Sequence, residues 1–167
     1  MLKWVKRLAA LVAALVGGLA FAGWLLPVKH EASRTAEFSK APADVYALVA
    51  DIRNYPQWWP EISRVEVLSE TRDHTTFREH LSTGPVVMRV GETLPPSRFV
   101  TVIDDPDQPF GGSWIFEITP LPSGGSRLTI TERGEIYNVI FRALARFVFG
   151  YSGTIDSCLT AAGKRLR

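Results

Sequence analysis

From Ile62 to Gly134 apolar residues recur at every second position, and turn-forming residues interrupt the pattern about every ten residues. Segments 62–70, 74–82, 85–93, 98–104, 112–119 and 126–134 therefore read as strands. The breaks fall at Arg72-Asp73, Ser82-Thr83-Gly84, Pro95-Pro96-Ser97, Asp105–Pro109 and Pro122–Gly125. Ala32–Ser39 supplies a further strand upstream. Every connection within the run is short. That demands antiparallel neighbours, because a parallel pair needs a crossover of about a dozen residues or more. A sheet of about seven strands has an apolar face to cover.

The cover is the C-terminal thirty residues. Ile136, Val139, Ile140, Ala143, Leu144, Phe147, Val148, Tyr151, Ile155, Leu159, Ala162 and Leu166 follow one another in steps of three and four. The spacing predicts one long helix over Glu135–Arg167. Gly150 and Gly153, each costing about 1 kcal/mol against Ala in a helix, mark a bend or a close backbone approach. The fold class is α+β, with a curved antiparallel sheet wrapped on that helix.

Residues 1–27 read as a transmembrane anchor. Lys3, Lys6 and Arg7 precede Leu8–Leu26, a stretch without a charge that is long enough to cross a hydrocarbon core of about 30 Å. Trp4 and Trp24 stand near its two ends, where aromatic rings favour the interface. The basic flank predicts a cytoplasmic N-terminus and a domain on the far side, periplasmic in a bacterium. The alternative is a signal peptide cleaved near Ala22, since Ala20-Phe21-Ala22 is a small-x-small site. Residues 28–31 read as a linker and 32–167 as a single domain.

Past Pro27 the chain holds sixteen basic and seventeen acidic residues, a net charge of −1. No basic stripe remains there, which argues against nucleic acid as a partner. The single Cys158 excludes an internal disulfide and reads as a small buried residue. His30, His74 and His80 fall in linker, turn and strand, and no metal or cofactor is expected from them. Phosphate loops, nucleophile elbows and Cys-His pairs are absent from the sequence.

Ala41-Pro42-Ala43-Asp44-Val45-Tyr46, with Pro in the first turn of a helix, leads to Asp51 and then Tyr55-Pro56-Gln57-Trp58-Trp59-Pro60. Later stations are Leu94–Phe99, Gly111-Gly112-Ser113-Trp114, Leu128–Glu132 and Gly134-Glu135. On these residues the chain from 32 to 167 resembles the START-like (SRPBCC) superfamily, in particular its polyketide cyclase/dehydrase and lipid-transport group. The resemblance implies a helix-grip fold with an apolar pocket between sheet and terminal helix, taking a lipid, quinone or polyketide-like molecule. Members of the superfamily share a cavity and not a reaction.

Alternation assigns the inward faces. Trp114, Phe116 and Ile118 share one face, as do Leu128, Ile130 and Glu132. Phe77 and Leu81 bracket Glu79, and Val86, Met88 and Val90 lead to Glu92. Three carboxylates thus fall on inner faces, where a charge is costly unless paired. Glu79 and Glu132 are the candidates for proton transfer; the alternative is that each reaches solvent or pairs with Arg98 or Arg133. Ligand contacts are expected from Trp58, Trp59, Phe77, Met88, Trp114, Phe116, Phe141, Leu144 and Phe147. Trp58 and Trp59 either gate the mouth or plug the core, and Phe141, Leu144 and Phe147 either floor the pocket or pack the core. Arg142 and Arg146 read as a solvated pair, or as contacts to lipid headgroups.

The expected function is a membrane-tethered binding protein for a hydrophobic small molecule or lipid. The alternatives are a cyclase or dehydratase using a cavity carboxylate, and an interaction module whose core is closed by aromatic bulk.

Overall fold

The structure is a computed structural model, and it describes residues 2–71, 74–122 and 124–167. The turn expected at Arg72-Asp73 and the Ser123 position of the next-to-last turn lie outside the described residues. Helix α1 (Leu2–Leu25) is continuous. It is followed by β1 (Lys29–Phe38), α2 (Pro42–Ala50), a 3₁₀ turn over Ile52–Asn54, and α3 (Tyr55–Trp58). The strands β2 (Ile62–Glu70), β3 (Thr75–Leu81), β4 (Gly84–Leu94), β5 (Arg98–Ile103), β6 (Phe110–Pro120) and β7 (Ser126–Ile136) come next. The chain ends with α4 (Val139–Leu144), a π-helical turn over Ala145–Phe149, and α5 (Gly153–Arg165).

The described strands form one antiparallel sheet in the order β1-β7-β6-β5-β4-β3-β2. Six of its strands follow the chain as a meander. The exception is β1, which crosses to the far edge and pairs with β7 over ten residues, from Lys29 opposite Glu135 to Phe38 opposite Ser126. Hydroxyls support this pairing on the outer face, Ser33 with Thr131 and Thr35 with Thr129, each at 3.0 Å. Shifts in register between Ile62 and Arg64, Val67 and Ser69, and Val90 and Thr93 are β-bulges that bend the sheet.

Two expectations need correction. The linker at 28–31 is not separate from the domain, because Lys29, His30 and Glu31 already pair with β7. The helix expected over Glu135–Arg167 is divided. Its first two residues belong to β7. Asn138 then caps α4, its side-chain oxygen accepting from Ile140 N at 3.0 Å and Phe141 N at 3.1 Å. The π turn ends at Gly150, whose φ of 73° is the left-handed conformation that glycine tolerates.

Only α5 grips the sheet. Its Ile155, Cys158, Leu159, Ala161 and Ala162 join Val45 and Val49 of α2 and Phe77, Phe99, Phe116, Ile118, Leu128 and Ile130 of the sheet in one buried core. The segment from α4 to Phe149 turns away, and its α4 part packs on α1. There Arg142 is buried, not solvated. Its guanidinium donates to the carbonyls of Gly23 at 3.1 Å, Leu26 at 3.0 Å, Ile136 at 2.9 Å and Tyr137 at 3.1 Å. A cation thus sits at the C-terminal end of α1, on the carbonyls of Gly23 and of Leu26 just beyond the helix, the favourable charge at that end.

Gly112 sits at φ 135° in β6, and a Cβ there would collide with the Arg133 carbonyl of β7. Gly112→Ala is expected to destabilise the domain by about 2 kcal/mol or more, beyond the usual cost of an incompatible Gly→Ala change. Chemical denaturation measures it, and an unchanged midpoint would contradict the close packing of β6 on β7.

Candidate functional site

The concave face is built by cross-strand neighbours. From β7 it receives Leu128, Ile130, Glu132 and Gly134; β6 sets Ile118, Phe116, Trp114 and Gly112 opposite them. Phe99 and Thr101 of β5, Met88 and Val90 of β4, and Phe77 and Glu79 of β3 continue the face. Tyr55 and Trp58 of α3, with Trp59 just after it, reach over this face. The rings form a chain: Trp58 lies 5.7 Å from Trp59, Trp59 5.6 Å from Trp114, Trp114 6.0 Å from Phe116, and Phe116 5.9 Å from Phe99. Such spacings are those of favourable aromatic pairs. Trp58, Trp59, Phe77, Met88 and Phe116 are all buried. These buried rings stand on the face where the sequence leads one to expect an oily hollow.

Phe141, Leu144 and Phe147 do not join them. They lie on α4 and the π turn, with Phe141 56% and Phe147 67% exposed and Leu144 half-buried. The physical reason is the division at Gly150: α4, ahead of it, packs on α1, and the π turn that follows α4 stays exposed.

The open volume lies instead at the ends of the strands. A groove of about 1080 Å³ runs round the start of β1, the β5–β6 turn and the end of β7. His30, Ile103, Phe110, Gly112, Gly134 and Tyr137 are among its walls. Gly112 and Gly134 face each other across β6 and β7, with Gly111 next to them, and the missing Cβ atoms let the His30 ring come down on Gly134 and the Tyr137 hydroxyl on Gly111. The groove mixes apolar surface with charged residues, including Lys29, Glu31, Asp104 and Arg133.

Glu132 and Trp114 form the next row inward from the glycine pair. The Glu132 Oε1 lies 3.4 Å from Nε2 of His30, and the His30 ring stacks on Tyr151 at 4.1 Å. Burial pushes the Glu132 carboxyl from its ordinary 4.5 up to about 7, and lowers the His30 pKa. Both shifts favour the neutral forms, so near neutral pH the pair can hold or pass a proton with little charge developed. Arg34 ties the segment carrying Tyr151 to β1, donating to Ser152 Oγ at 2.8 Å and lying 3.4 Å from Asp156.

Glu79 occupies a different environment. It is 9% exposed on β3, between Val65 and Val86. Burial raises its carboxyl to about 7, and its charge acts on the buried Tyr55 hydroxyl and Cys158 thiol, whose pKa values burial raises. Four strand spacings of about 4.8 Å along the sheet separate β3 from β7, so Glu79 and Glu132 are two separate sites and not a dyad. The indole N–H groups of Trp58 and Trp59 are buried without a partner, two donors free to meet a polar atom at the core. Glu92 turns out to be exposed and paired with Arg98 at 2.7 Å.

Sequence reasoning places His30 in a linker, Tyr151 in the helical stripe and Arg142 in solvent or at lipid headgroups, and brings none of them to this site. Alternation points His30 inward once β1 is allowed to begin at Lys29, but the polar run Lys29-His30-Glu31 conceals the strand. Among the described residues no group of three His, Cys, Asp or Glu side chains is placed to hold a metal ion.

Glu79 allows a test of this electrostatics. A glutamate in an unfolded chain titrates near 4.5 and folded Glu79 near 7. Between these values the folded state keeps a proton that the unfolded state has lost. The contribution to stability is therefore complete below pH 4.5 and disappears as pH rises through 7. Glu79→Gln should remove this loss and raise stability at pH 8 relative to the parent by up to about 3 kcal/mol. Denaturation at pH 4.5 and pH 8 gives the answer; equal slopes in the two proteins would place Glu79 in solvent.

Residues 39–151 match the sequence profile of the family described as polyketide cyclase / dehydrase and lipid transport. No curated protein matches the chain. Among solved structures, a START superfamily protein from Mycobacterium smegmatis is similar at 21% identity and a TM-score of 0.66, over 82% of this chain and 97% of that one. The Zhui aromatase/cyclase from Streptomyces sp. R1128 is similar at 13% identity and a TM-score of 0.66, over 83% and 93%. A protein from Thermus thermophilus is similar at 19% identity and a TM-score of 0.69, over 82% and 97%. At these identities the structures bear on the fold, and the match of more than half the sequence bears on descent. With its seven-stranded sheet closed on α5, the chain belongs to the START-like family of polyketide cyclases, dehydrases and lipid-transport proteins.

Proposed function

We propose that this protein is a membrane-tethered binding protein for a hydrophobic small molecule or lipid, which it takes at the groove on the open end of its grip. The observation that carries this is position. The groove walls begin at Lys29 and His30, and α1 ends at Leu25. Three residues span at most about 10 Å, so the groove opens close to where α1 leaves the domain. Lys3–Leu25 is long and apolar enough to cross a membrane or to serve as a signal sequence. The apolar run continues past Ala22 through Trp24-Leu25-Leu26, which supports retention of α1 as an anchor. The charge flank at Lys3, Lys6 and Arg7 supports a cytoplasmic N-terminus.

A ligand here would set its apolar part along Val102, Ile103 and Phe110, with a polar head toward His30 and Glu132. Apolar walls with a few orienting polar groups are the usual build of such sites. The groove replaces the buried hollow as the place of binding, with His30, Gly112 and Gly134 on its inner side. A second reading, proton transfer in a cyclase- or dehydratase-type reaction, is favoured by the Glu132–His30 contact and the raised Glu132 carboxyl. It differs in its test, because Glu132→Gln would keep binding and lose turnover.

Full-length protein and a Val102→Trp variant, purified in the same detergent, should yield different lipid extracts. Both carry the lipid that adheres to α1, whereas only the parent carries a groove ligand. A species present in the parent and reduced at least about tenfold in the variant, a loss of some 1.4 kcal/mol, is expected by mass spectrometry. Identical extracts from two folded proteins would remove the reading.

A further inference from the structure

We infer that Val139–Phe149 lies on the bilayer surface beside α1, as a second lipid-contacting element; this rests on the reading of α1 as a retained membrane span. The segment is fixed to the outer end of α1 by two contacts. Gly23 lets the Val139 backbone approach so closely that a Cβ would overlap its carbonyl, and Arg142 bridges the two helices through four carbonyls without a carboxylate among its partners. A buried cation satisfied in this way is committed to its place, since removing its acceptors would leave an uncompensated charge.

The surface the segment presents is apolar: Phe141 is 56%, Phe147 67%, Val148 64% and Phe149 70% exposed. Four large apolar side chains over nine residues form a patch of a kind that folded surfaces seldom leave to water. Its charge is suited to lipid. Between Glu135 and Asp156 the sequence has no acidic residue, and the exposed Arg146 lies within the patch. Depth agrees as well. The α1 helix of 24 residues is about 36 Å long, so its docked end at Gly23–Leu26 stands at one face of the membrane. Trp24 and Tyr137, exposed at the same level, are residues that favour that boundary. An apolar surface continuous with a spanning helix is occupied by the lipid around that helix, and the phenyl rings would enter the headgroup layer.

The test uses the full chain in vesicles of phosphatidylcholine and phosphatidylglycerol, with an environment-sensitive fluorophore on one introduced cysteine at a time. The native Cys158 is buried, with a thiol held protonated, and stays unlabelled. Labels at Phe149→Cys, Leu15→Cys and Lys40→Cys are compared, Lys40 being exposed beyond the far end of β1, with lipids carrying a quencher near the headgroup or deep in the chains. The label at position 149 should be blue-shifted and quenched several-fold more strongly by the shallow lipid than the label at 40. The label at 15 should respond to the deep one. A label at 149 that behaves like 40 while 15 is deep overturns the inference and leaves the anchor standing. If 15 is also aqueous, the anchor reading fails and the inference with it. Blue shift at 149 without lipid quenching, together with cross-linking to a second copy, would make the patch a protein contact and overturn the inference as well.

Discussion

The structure depends on the ladder between β1 and β7. It joins residues about a hundred positions apart and pairs ten residues in unbroken register. Without it the remaining strands are a meander with an uncovered edge at β7. With it, the start and the end of the domain meet at one corner of the sheet. The consequences follow by chain continuity. The three residues before Lys29 lead back to α1, and the two after Ile136 lead into α4, so the two helices must leave the sheet side by side. His30 is set opposite Gly134 and next to Glu132 by the same register. The end of α1, the groove and the ionisable pair are one geometric event.

The second constraint is that the concave face carries carboxylates. An ionised glutamate on a face that meets aromatic rings is costly, and this fold manages the cost by neutralisation. Glu79 and Glu132 are both raised to about 7. The outer face, by contrast, keeps its charges ionised and paired at the surface, as Glu37 with Arg127 and Glu117 with Arg98, each at 2.7 Å. Exposed pairs of that sort contribute about 0–1 kcal/mol each. The inner carboxylates therefore owe their place to something other than stability, and Glu132 has His30 and a groove beside it. Glu79 has Tyr55 and the unpartnered indoles of Trp58 and Trp59.

Most of the sheet is legible in the sequence because alternation and turn residues are local signals. Each strand from Ile62 onward lies close to where the period of two puts it, and Glu79 and Glu132 fall on the inner face as that period requires. What escapes depends on partners. The polar start of β1 becomes a strand only because β7 offers it hydrogen bonds, so Lys29-His30-Glu31 by itself has the look of a linker. The stripe from Ile136 to Tyr151 has the spacing of a helix that grips a sheet, but spacing does not say which surface a helix meets. Here α1 is the partner of α4, and Phe141 and Phe147 lie exposed and away from the sheet. Arg142 reads as solvated because nothing in its neighbours along the chain reveals that it caps a helix more than a hundred residues upstream.

The location of the groove shows how core packing and cavity formation compete within one fold. A concave face can be closed by large side chains or left open by small ones. Beneath α5 the chain chooses Tyr55, Trp58, Trp59 and Trp114, whose contacts stabilise the grip. At the corner where β1, β6 and β7 meet it chooses Gly111, Gly112 and Gly134, over which the His30 ring and the Tyr137 hydroxyl come down. The groove there lies at the open ends of the strands, close to where α1 joins the domain. The arrangement gives up enclosure and keeps access.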